Sequence, residues 1–286
     1  MKPMKIFSLF KTMLLLFFIC GPVKPSFAET PKKIVSLNLC ADQYLMALAE
    51  PTQVSALTHH ARNPSLSFQA KTAQGWPVSN GGGEDLMQLQ PDLIIASKIR
   101  RPTIKAFLDG QDIPVIEIGP ARNYDDVKRQ IRKIGDAIGR SAKAEALIKE
   151  MDGRLKAVID DLPQSRKRAA HYQRRGFVSG DNTLFSDIMD KAGLINIATE
   201  LGAKRTRRVS METLIASKPE ILIVSSAPEN EVDMGEKLLD HPALRKSHTS
   251  ADIIDIPESL IICGGPSYPA AVEFLANASR EIAFED

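Results

Sequence analysis

Short apolar runs alternate with amphipathic segments through the first half of the chain. Between residues 33 and 139 the apolar runs are KIVSL, QVSAL, DLIIAS and PVIEI, and segments with helical periodicity separate them. After residue 163 the alternation returns in RAAHYQ, METLIAS, EILIVSS, DIIDIP and PAAVEFLANASREIAF. Strands interleaved with helices are typical of βαβ units, which form a mostly parallel sheet covered on both faces. The pattern therefore predicts two α/β lobes.

One longer helical segment separates the two halves. From Ala142 to Asp161 apolar residues recur at steps of three and four, and no proline occurs before Pro163. A helix of this length spans about 30 Å, which suits a strut between lobes. We therefore predict Rossmann-like lobes at residues 29–140 and 163–286, joined by a single long helix at 141–162. A ligand cleft between the lobes is expected because such sheets bind ligands at the carboxyl ends of their strands.

A short segment occurs once in each half. Residues 81–97 read GGGEDLMQLQPDLIIAS, and residues 209–226 read VSMETLIASKPEILIVSS. In each copy a glutamate is followed by leucine, proline and an acid at the same spacing: Glu84, Leu86, Pro91 and Asp92 match Glu212, Leu214, Pro219 and Glu220. The separation, 212 − 84 = 128 residues, is far longer than the roughly 20 to 50 residues of a solenoid repeat. The repeat therefore favours two similar lobes.

Composition alone excludes little. The chain of 286 residues is 43% hydrophobic and 25% charged, with a net charge of +2, which is ordinary for a globular protein. No long acidic or basic run occurs, so composition gives no case for nucleic-acid binding. The exception is the local basic cluster AKRTRRVS at residues 203–210.

The first residues have the features of a cleavable export signal, predicted at residues 1–28. Three lysines precede the apolar stretch MLLLFFIC, which is shorter than the ~20 residues of a spanning helix, and small residues end the segment at SFA. We expect cleavage after Ala28 and export to the periplasm, with a retained membrane anchor as the alternative. A lipid anchor on Cys20 is disfavoured because the bulky Ile19 precedes it.

Two cysteines follow the signal, Cys40 and Cys263, in a compartment where disulfides persist. They are separated by 223 residues, and a bond would require their Cα atoms to lie within about 7 Å. The sequence does not show whether they meet. Two free, partly buried thiols are the interpretation that we favour, and a disulfide is the alternative.

Residues able to bind a ligand follow the predicted strands. The set is Cys40, His59, His60, Trp76, Arg100, Arg101, Tyr172, Arg174, Arg175, Asn182, Arg205, Arg207, Arg208, Cys263 and Tyr268. Many are arginines, and a guanidinium group pairs with carboxylate or phosphate oxygens in a fixed geometry. The cleft is therefore expected to bind an anionic small molecule. Trp76, the single tryptophan, is either a core residue or a stacking wall for a ring-bearing ligand.

Metal binding and catalysis have weaker support. Of the five histidines only His59 and His60 adjoin, and neighbours in an extended segment point to opposite sides, so both cannot readily bind one ion. No G-x-S-x-G, H-E-x-x-H, Walker or G-x-G-x-x-G motif occurs in the sequence. We therefore predict no direct metal site, no cofactor and no catalytic residue. An exported zinc or manganese binding protein and an exported enzyme on a similar scaffold are the alternatives.

Together these features resemble the class III periplasmic substrate-binding proteins of ABC importers, which take up vitamin B12, ferric siderophores and haem. The most specific parts of the resemblance are KIVSLNLCADQYLMAL, the paired E-x-L-x-x-x-x-P segments and CGGPSYPAAVEFLA. The resemblance implies a monomer that carries out no chemistry on its cargo and delivers it to a permease dimer with its ATPase subunits. It also implies that Glu84 and Glu212 dock the two lobes onto the two permease copies.

The ligand is expected to be a metal chelate. His60 lies where the vitamin B12 binders resembled by this chain place an aromatic ring, and Trp76 lies close to their tryptophan position. The segment RTRRVS lies where their second lobe offers another tryptophan. Arginines where those proteins have an aromatic ring favour an anionic ferric siderophore as the ligand. Cobalamin or another corrinoid is the second candidate, and haem is the third.

Overall fold

The computed structural model describes residues 29–98, 102–225 and 253–283. The predicted signal peptide, together with Arg100 and Arg101, lies outside the described residues, as do His241 and His248. From Pro31 onward the chain forms one compact unit. Its described part contains two sheets, and helices cover them as the apolar pattern predicts.

The N-terminal lobe is built on a parallel five-stranded sheet in the order β3-β2-β1-β4-β5. Its interior strand β4 is a continuous apolar run with every residue buried, as expected for a parallel sheet covered on both faces. The strands are β1 Ile34–Ser36, β2 Val54–Thr58, β3 Val78–Ser79, β4 Leu93–Ala96 and β5 Val115–Glu117. The helices are α1 Leu39–Leu48, α2 Gly83–Leu89, α3 Pro102–Asp109 and α4 Tyr124–Ala137.

The C-terminal lobe has a mixed sheet in the order β11-β10-β6-β7-β9, with β8 paired to β6. Pairing is parallel except along β6-β7 and β7-β9, which are antiparallel. The strands are β6 Arg168–Gln173, β7 Phe177–Val178, β8 Ile195–Asn196, β9 Arg207–Arg208, β10 Ile221–Val224 and β11 Ile253–Asp255. Among the described residues, its helices are α6 Leu184–Lys191, α7 Met211–Ala216, α8 Glu258–Ile261 and α9 Tyr268–Ala283.

Helix α5, Ser141–Asp160, connects the lobes. Its buried residues are Ala144, Ile148, Met151 and Leu155, the three-and-four spacing that the sequence shows. A Cβ atom at Gly135 of α4 would lie 2.6 Å from the Cβ atom of Ala144. The absence of a side chain at Gly135 therefore allows α4 and α5 to pack closely.

The repeated segment folds the same way in both lobes. Gln90 and Lys218, with φ of 45° and 47°, follow the short helices α2 and α7 in the left-handed region, directly before the proline. Asp92 then accepts a hydrogen bond of 3.0 Å from the backbone just before β1. Glu220 accepts one of 2.7 Å from the first residue of β6. The 128-residue spacing therefore marks a structural duplication.

The two lobes share a hydrophobic core. One cluster of buried residues contains Ile34 of the first sheet, Met151 of α5, Ile223 of the second sheet and Leu275 of α9. Burial of this apolar surface stabilises the arrangement of one lobe against the other. Across the described ranges, the structure has no helix with the length and apolar character needed to cross a membrane.

Candidate ligand-binding cleft

A cavity of about 750 Å³ lies between the lobes, within the usual size range of small-molecule sites. On the N-terminal side it is bounded by Cys40 after β1, Ser97 and Lys98 after β4, and the segment that follows β5. The C-terminal lobe contributes Leu184, Ile261, Ile262 and Gly264. The cavity therefore lies where parallel strands end, as the sequence predicts.

Charged groups line the N-terminal wall of this cavity. They are Lys98, Lys133 and Glu117. The Lys133 ammonium group donates to the backbone carbonyl of Glu117 at 2.7 Å, and the Gln130 amide donates to the Gly119 carbonyl at 2.7 Å. These bonds tie α4 to the segment after β5 and hold one ammonium group at the cavity. Sequence patterns do not mark Lys133 and Gln130 as site residues, because only the packing of α4 brings them to this wall. Glu117 reaches it as the last residue of β5.

Cys40 and Cys263 form a disulfide, with Cα atoms 5.3 Å apart. The prediction of two free thiols is therefore wrong. The sequence separation of 223 residues hid the pairing, because only the approach of the lobes brings α1 beside the segment between α8 and α9. Cys40 is partly exposed at the cavity, whereas Cys263 is only 2% exposed.

Close contacts between the lobes surround the disulfide. The Tyr44 hydroxyl on α1 donates to the Gly264 carbonyl. A Cβ atom at Gly264 would lie 2.7 Å from the Ala121 side chain and 2.9 Å from that of Leu184. Glycine is therefore required at this point, where the backbones of the two lobes approach each other.

A half-buried carboxylate also connects the lobes. Asp187 of α6 accepts hydrogen bonds from the Tyr124 backbone amide at 2.8 Å and from the Tyr268 hydroxyl at 2.5 Å. The two tyrosine rings stack with centroids 4.9 Å apart. Burial raises the pKa of Tyr268, and its hydrogen bond to Asp187 adds to the shift. Tyr268, predicted as a ligand contact, thus has a structural contact to Asp187.

Two further predicted ligand contacts lie in the core. Trp76 is 7% exposed and Tyr172 is 1% exposed, and each packs in a cluster of buried apolar residues. The core interpretation of Trp76 is therefore the one that the structure supports. The Arg62 guanidinium group holds this segment by donating a hydrogen bond of 2.7 Å to the Trp76 backbone carbonyl. Among the described residues that line the cavity there is no aromatic side chain.

His59 and His60 begin a short 3-10 helix, His59–Arg62, directly after β2. Both are exposed, and their rings lie 3.9 Å apart at a tilted angle. Partial desolvation lowers the pKa of His60, and the neighbouring His59 adds to the shift. Within the described ranges no group of three or more His, Cys, Asp or Glu residues is placed to hold a metal ion.

Asp42 of α1 anchors the strand that ends before these histidines. It is fully buried and accepts hydrogen bonds from the Thr58 amide at 3.0 Å and the Thr58 hydroxyl at 2.5 Å. Burial raises the pKa of Asp42 to about 6, against hydrogen bonds from Ser36 and Thr58 that lower it. Asp42 thus joins α1 to the end of β2 and fixes the point at which the 3-10 helix begins, at His59.

Ionisation of Asp42 should destabilise the protein at neutral pH. The pKa of Asp42 is about 6 in the fold against 3.8 for the free group. The stabilisation that the protonated side chain gives the fold is therefore greatest below pH 3.8, and it is lost as the pH rises through 6. The loss is about 3 kcal/mol in free energy of unfolding. In Asp42→Asn this loss should be absent, as measured by urea unfolding between pH 3.5 and 7.5 (a range of about four pH units). A constant difference between the two proteins at every pH would contradict the assignment.

The predicted arginines of the C-terminal lobe collect at one edge of its sheet. The turn Arg174–Gly176 joins β6 to β7, and Arg207–Arg208 forms the edge strand β9. Arg208 pairs opposite Phe177, and Phe177 pairs opposite Gln173 at the carboxyl end of β6. The arginines therefore lie level with the end of the sheet where ligands bind in this class of fold.

The neighbouring loop brings two more predicted residues to this edge. The Asn182 backbone amide donates to the Lys204 carbonyl at 3.1 Å, which places Asn182 beside the segment that carries Arg205. Arg205, Arg207 and Arg208 all have exposed side chains. None of them is among the described residues that bound the 750 Å³ cavity. They form a separate basic edge, defined by Arg174, Arg175, Arg205, Arg207 and Arg208.

Glu84 and Glu212 occupy equivalent places in the duplicated segment. Each lies in the first turn of its short helix, α2 or α7, with an exposed side chain. In α2 the neighbouring Asp85 is held by hydrogen bonds from the Ser79 hydroxyl at 2.6 Å and the Asn80 amide at 3.0 Å, and these bonds lower the pKa of Asp85. The two glutamates thus mark corresponding points on the two lobes.

The sequence and the fold are similar to those of known proteins. A cobalamin-binding protein of Halobacterium salinarum is 25% identical over 224 residues, which are 77% of this chain and 61% of that protein. This chain therefore spans about 61% of that relative's length. An uncharacterised ABC transporter substrate-binding lipoprotein of Bacillus subtilis is 23% identical over 90% of this chain and 83% of its own length.

A solved structure supports the fold. It is described as a possible iron-binding, periplasmic solute-binding protein of Staphylococcus epidermidis, and it matches with a TM-score of 0.72 and 18% identity over 88% of this chain and 99% of that one. At this identity the similarity shows the fold alone. Residues 34–252 match the family described as periplasmic binding protein, which is well over half of the chain. This chain therefore belongs to the periplasmic binding protein family, in the class III type that its sequence resembles.

Proposed function

We propose that this chain is the substrate-binding component of an ABC importer and that its cargo is a negatively charged metal chelate of the ferric siderophore class. The observation that carries the proposal is the chemistry of the cavity between the lobes. Its described lining includes the ammonium groups of Lys98 and Lys133 and no aromatic ring. Ammonium groups attract an anionic chelate, whereas a flat corrin or porphyrin gains most from aromatic side chains that stack on it.

The basic edge of the C-terminal lobe also favours a negatively charged cargo. Its exposed arginines lie at the carboxyl end of β6, and guanidinium groups bind carboxylate and phosphate oxygens through two parallel hydrogen bonds. A cargo that extends from the cavity to this basic edge would contact lysines of the N-terminal lobe and arginines of the C-terminal lobe. A cargo held from both lobes needs several anionic groups, as a ferric chelate with carboxylate or catecholate donors has.

A corrinoid is the second candidate. The observation that favours it is the cobalamin-binding relative of Halobacterium salinarum, which matches 77% of this chain. His60 is exposed at the end of β2 and could contact a corrin. Trp76 is buried in the core and does not offer a stacking surface. For this reason we rank the ferric siderophore first.

The proposed mechanism requires little closure of the lobes. The shared core, helix α5 and the disulfide connect the two lobes, and such connections resist hinge bending. The loaded monomer would reach the permease dimer in the periplasm after export through the signal predicted at residues 1–28. It would dock through Glu84 and Glu212 and release the cargo as the permease moves the lobes apart, while ATP is hydrolysed by the ATPase subunits.

Neutralising three arginines of the basic edge should weaken cargo binding. In Arg205→Gln with Arg207→Gln and Arg208→Gln, we expect the affinity for a ferric chelate to fall at least about tenfold, because charge-assisted hydrogen bonds contribute roughly 1.5 to 3 kcal/mol each. Equilibrium dialysis against cobalamin, several ferric siderophores and haem, with bound metal read by mass spectrometry, measures this. The matched control is Arg132→Gln with Lys149→Gln and Arg166→Gln, which removes three exposed charges elsewhere.

Each result of the dialysis has a clear meaning. Retained iron that is weakened in the basic-edge variant and unchanged in the control supports the proposed cargo and its contact. Retained cobalt would favour the corrinoid and make His60 the next residue to substitute. Stoichiometric zinc or manganese in the purified protein would instead favour a free-metal binding protein, and turnover of a candidate substrate would favour an enzyme.

A further inference from the structure

The disulfide between the lobes is exposed from one side only. Cys40 lines the 750 Å³ cavity and is partly exposed there. Cys263 is 2% exposed and does not belong to the described lining of that cavity. A small molecule inside the cavity therefore contacts Cys40, whereas Cys263 is buried.

The charges beside Cys40 favour an anionic reagent. Lys98 and Lys133 lie in the same cavity wall as Cys40, and Glu117 is the carboxylate that opposes them. Arg122 and Arg129 lie in the adjoining concavity, together with Asp126. The described lining has two cations to one anion in the cavity and three to one in the adjoining concavity, because Lys133 borders both. An approaching thiolate therefore meets an excess of positive charge, which concentrates anions in a concave site.

We propose that the Cys40–Cys263 disulfide is a redox modification site, entered at the Cys40 sulfur through the interlobe cavity by a small anionic thiol. The thiolate attacks Cys40 Sγ, a new sulfur–sulfur bond forms there, and the bond to Cys263 breaks with Cys263 leaving as the thiolate. A second thiol attacks the adduct, releases Cys40 as a thiolate and leaves with the first as their own disulfide. Two electrons pass from the two thiols to the protein, and protons from solvent complete the two cysteines.

Reduction would change the cavity wall and leave the fold in place. The disulfide is a covalent connection between α1 and the C-terminal lobe at the cavity. The shared core, the bond from Tyr44 to the Gly264 carbonyl and the Asp187 contacts remain after the disulfide opens. The site would therefore couple the thiol state of the compartment to the shape of the cavity. This inference rests on the cavity and the disulfide and does not depend on the identity of the cargo.

The test compares three thiols that differ in charge. The oxidised protein is treated at low ionic strength with mercaptopropionate, mercaptoethanol or cysteamine, which are anionic, neutral and cationic, and samples are quenched, alkylated with iodoacetamide in denaturant and mapped by mass spectrometry. We expect the thiol adduct on Cys40 and the alkyl group on Cys263. Each rate is expressed per thiolate and divided by the rate of the same thiol with a small uncharged disulfide, which removes the intrinsic nucleophilicity that rises with thiol pKa. The resulting ratio should be roughly tenfold higher for mercaptopropionate than for cysteamine and should shrink in high salt.

Two double lysine variants test whether the charge of the cavity wall causes the preference for the anionic thiol. In Lys98→Gln with Lys133→Gln the preference for the anionic thiol should disappear, whereas Lys105→Gln with Lys149→Gln, which removes two exposed charges elsewhere, should keep it. An adduct on Cys263, equal rates for the three thiols, or a preference that survives in the first variant would each overturn the proposal. So would a disulfide that reacts only after the protein is unfolded in urea. Failure of the dialysis experiment to find a bound chelate would leave these rates unaffected.

Discussion

Glu84→Ala combined with Glu212→Ala should abolish uptake of the cargo and leave its binding to this protein intact. Both carboxylates are exposed in the first turn of equivalent short helices, and neither belongs to the described lining of the cavity between the lobes. Truncating one partner of a charge pair that is buried and hydrogen-bonded in a docked interface costs roughly 2 to 5 kcal/mol. Loss of two such pairs would leave the docked complex unpopulated at ordinary concentrations.

Two measurements on the same variant separate docking from binding. Uptake of the iron isotope is followed in cells that lack the native gene and carry the variant, and affinity is measured by equilibrium dialysis of the purified protein. Glu145→Ala with Asp160→Ala removes two exposed acids of α5 and should leave both quantities unchanged, since exposed ion pairs contribute little. Reduced affinity in the double glutamate variant, or normal uptake, would contradict the docking assignment.

Each single variant tests whether the duplication serves docking. The duplicated segments place Glu84 and Glu212 at corresponding points of two lobes that share a core. A permease made of two copies offers two corresponding sites, so each glutamate should contribute. We expect each single variant to reduce uptake and the double variant to reduce it further. Full uptake by one single variant would mean that docking uses one lobe.

The α/β architecture was predictable because it depends on local patterns. Buried strands such as Leu93–Ala96 read as continuous apolar runs, and α5 shows its buried face at regular steps. The repeat was visible because its residues have fixed local roles. Pro91 and Pro219 follow the left-handed residues that end each short helix. The acid after each proline accepts a hydrogen bond from the backbone at the start of the neighbouring strand in the sheet.

The cavity wall was less predictable because it depends on packing between distant elements. A lysine on an amphipathic helix looks like any solvated charge, and only the packing of α4 against the end of β5 brings Lys133 to the cavity. Tyr172 lies near the end of β6 and Tyr268 follows a glycine-rich turn, yet both are 1% exposed. The Cys40–Cys263 bond likewise depends on how the lobes meet, which local sequence does not encode.

A second large effect is expected in acid and originates at His171 in the second sheet. This histidine is buried against Phe185, with ring centroids 3.7 Å apart. Its Nδ1 atom lies 2.9 Å from the Ser179 hydroxyl, which also accepts a bond from the Gln173 amide at 2.7 Å. In the imidazolium form both ring nitrogens carry a proton, and Nε2 has no hydrogen-bond partner among the described residues. The ring is thus neutral in the fold.

Burial lowers the pKa of His171 from 6.5 to about 3. Over this pH range the unfolded chain binds a proton at His171 that the folded chain does not bind. The contribution of the neutral ring to the free energy of unfolding is therefore fully present above pH 6.5, and it is lost as the pH falls from 6.5 towards 3. The loss is on the order of 4 to 5 kcal/mol. Asp42 acts in the opposite direction, since its raised pKa of about 6 favours the fold as the pH falls. The pH profile of the native protein therefore contains two opposed contributions.

A variant isolates the histidine contribution. In His171→Asn the amide oxygen can accept from Ser179 and no titrating group remains, so the difference in free energy of unfolding from the native protein should change by several kcal/mol between neutral pH and pH of about 3. Asp42 is present in both proteins and cancels, because distant sites contribute additively. Ile188→Val, a core change without a titrating group, should shift stability by about 0.5 to 1.5 kcal/mol at every pH. If His171→Asn gave the same constant shift, water or a hydrogen-bond partner would have to reach Nε2, and the neutral, buried ring would not be the cause of acid sensitivity.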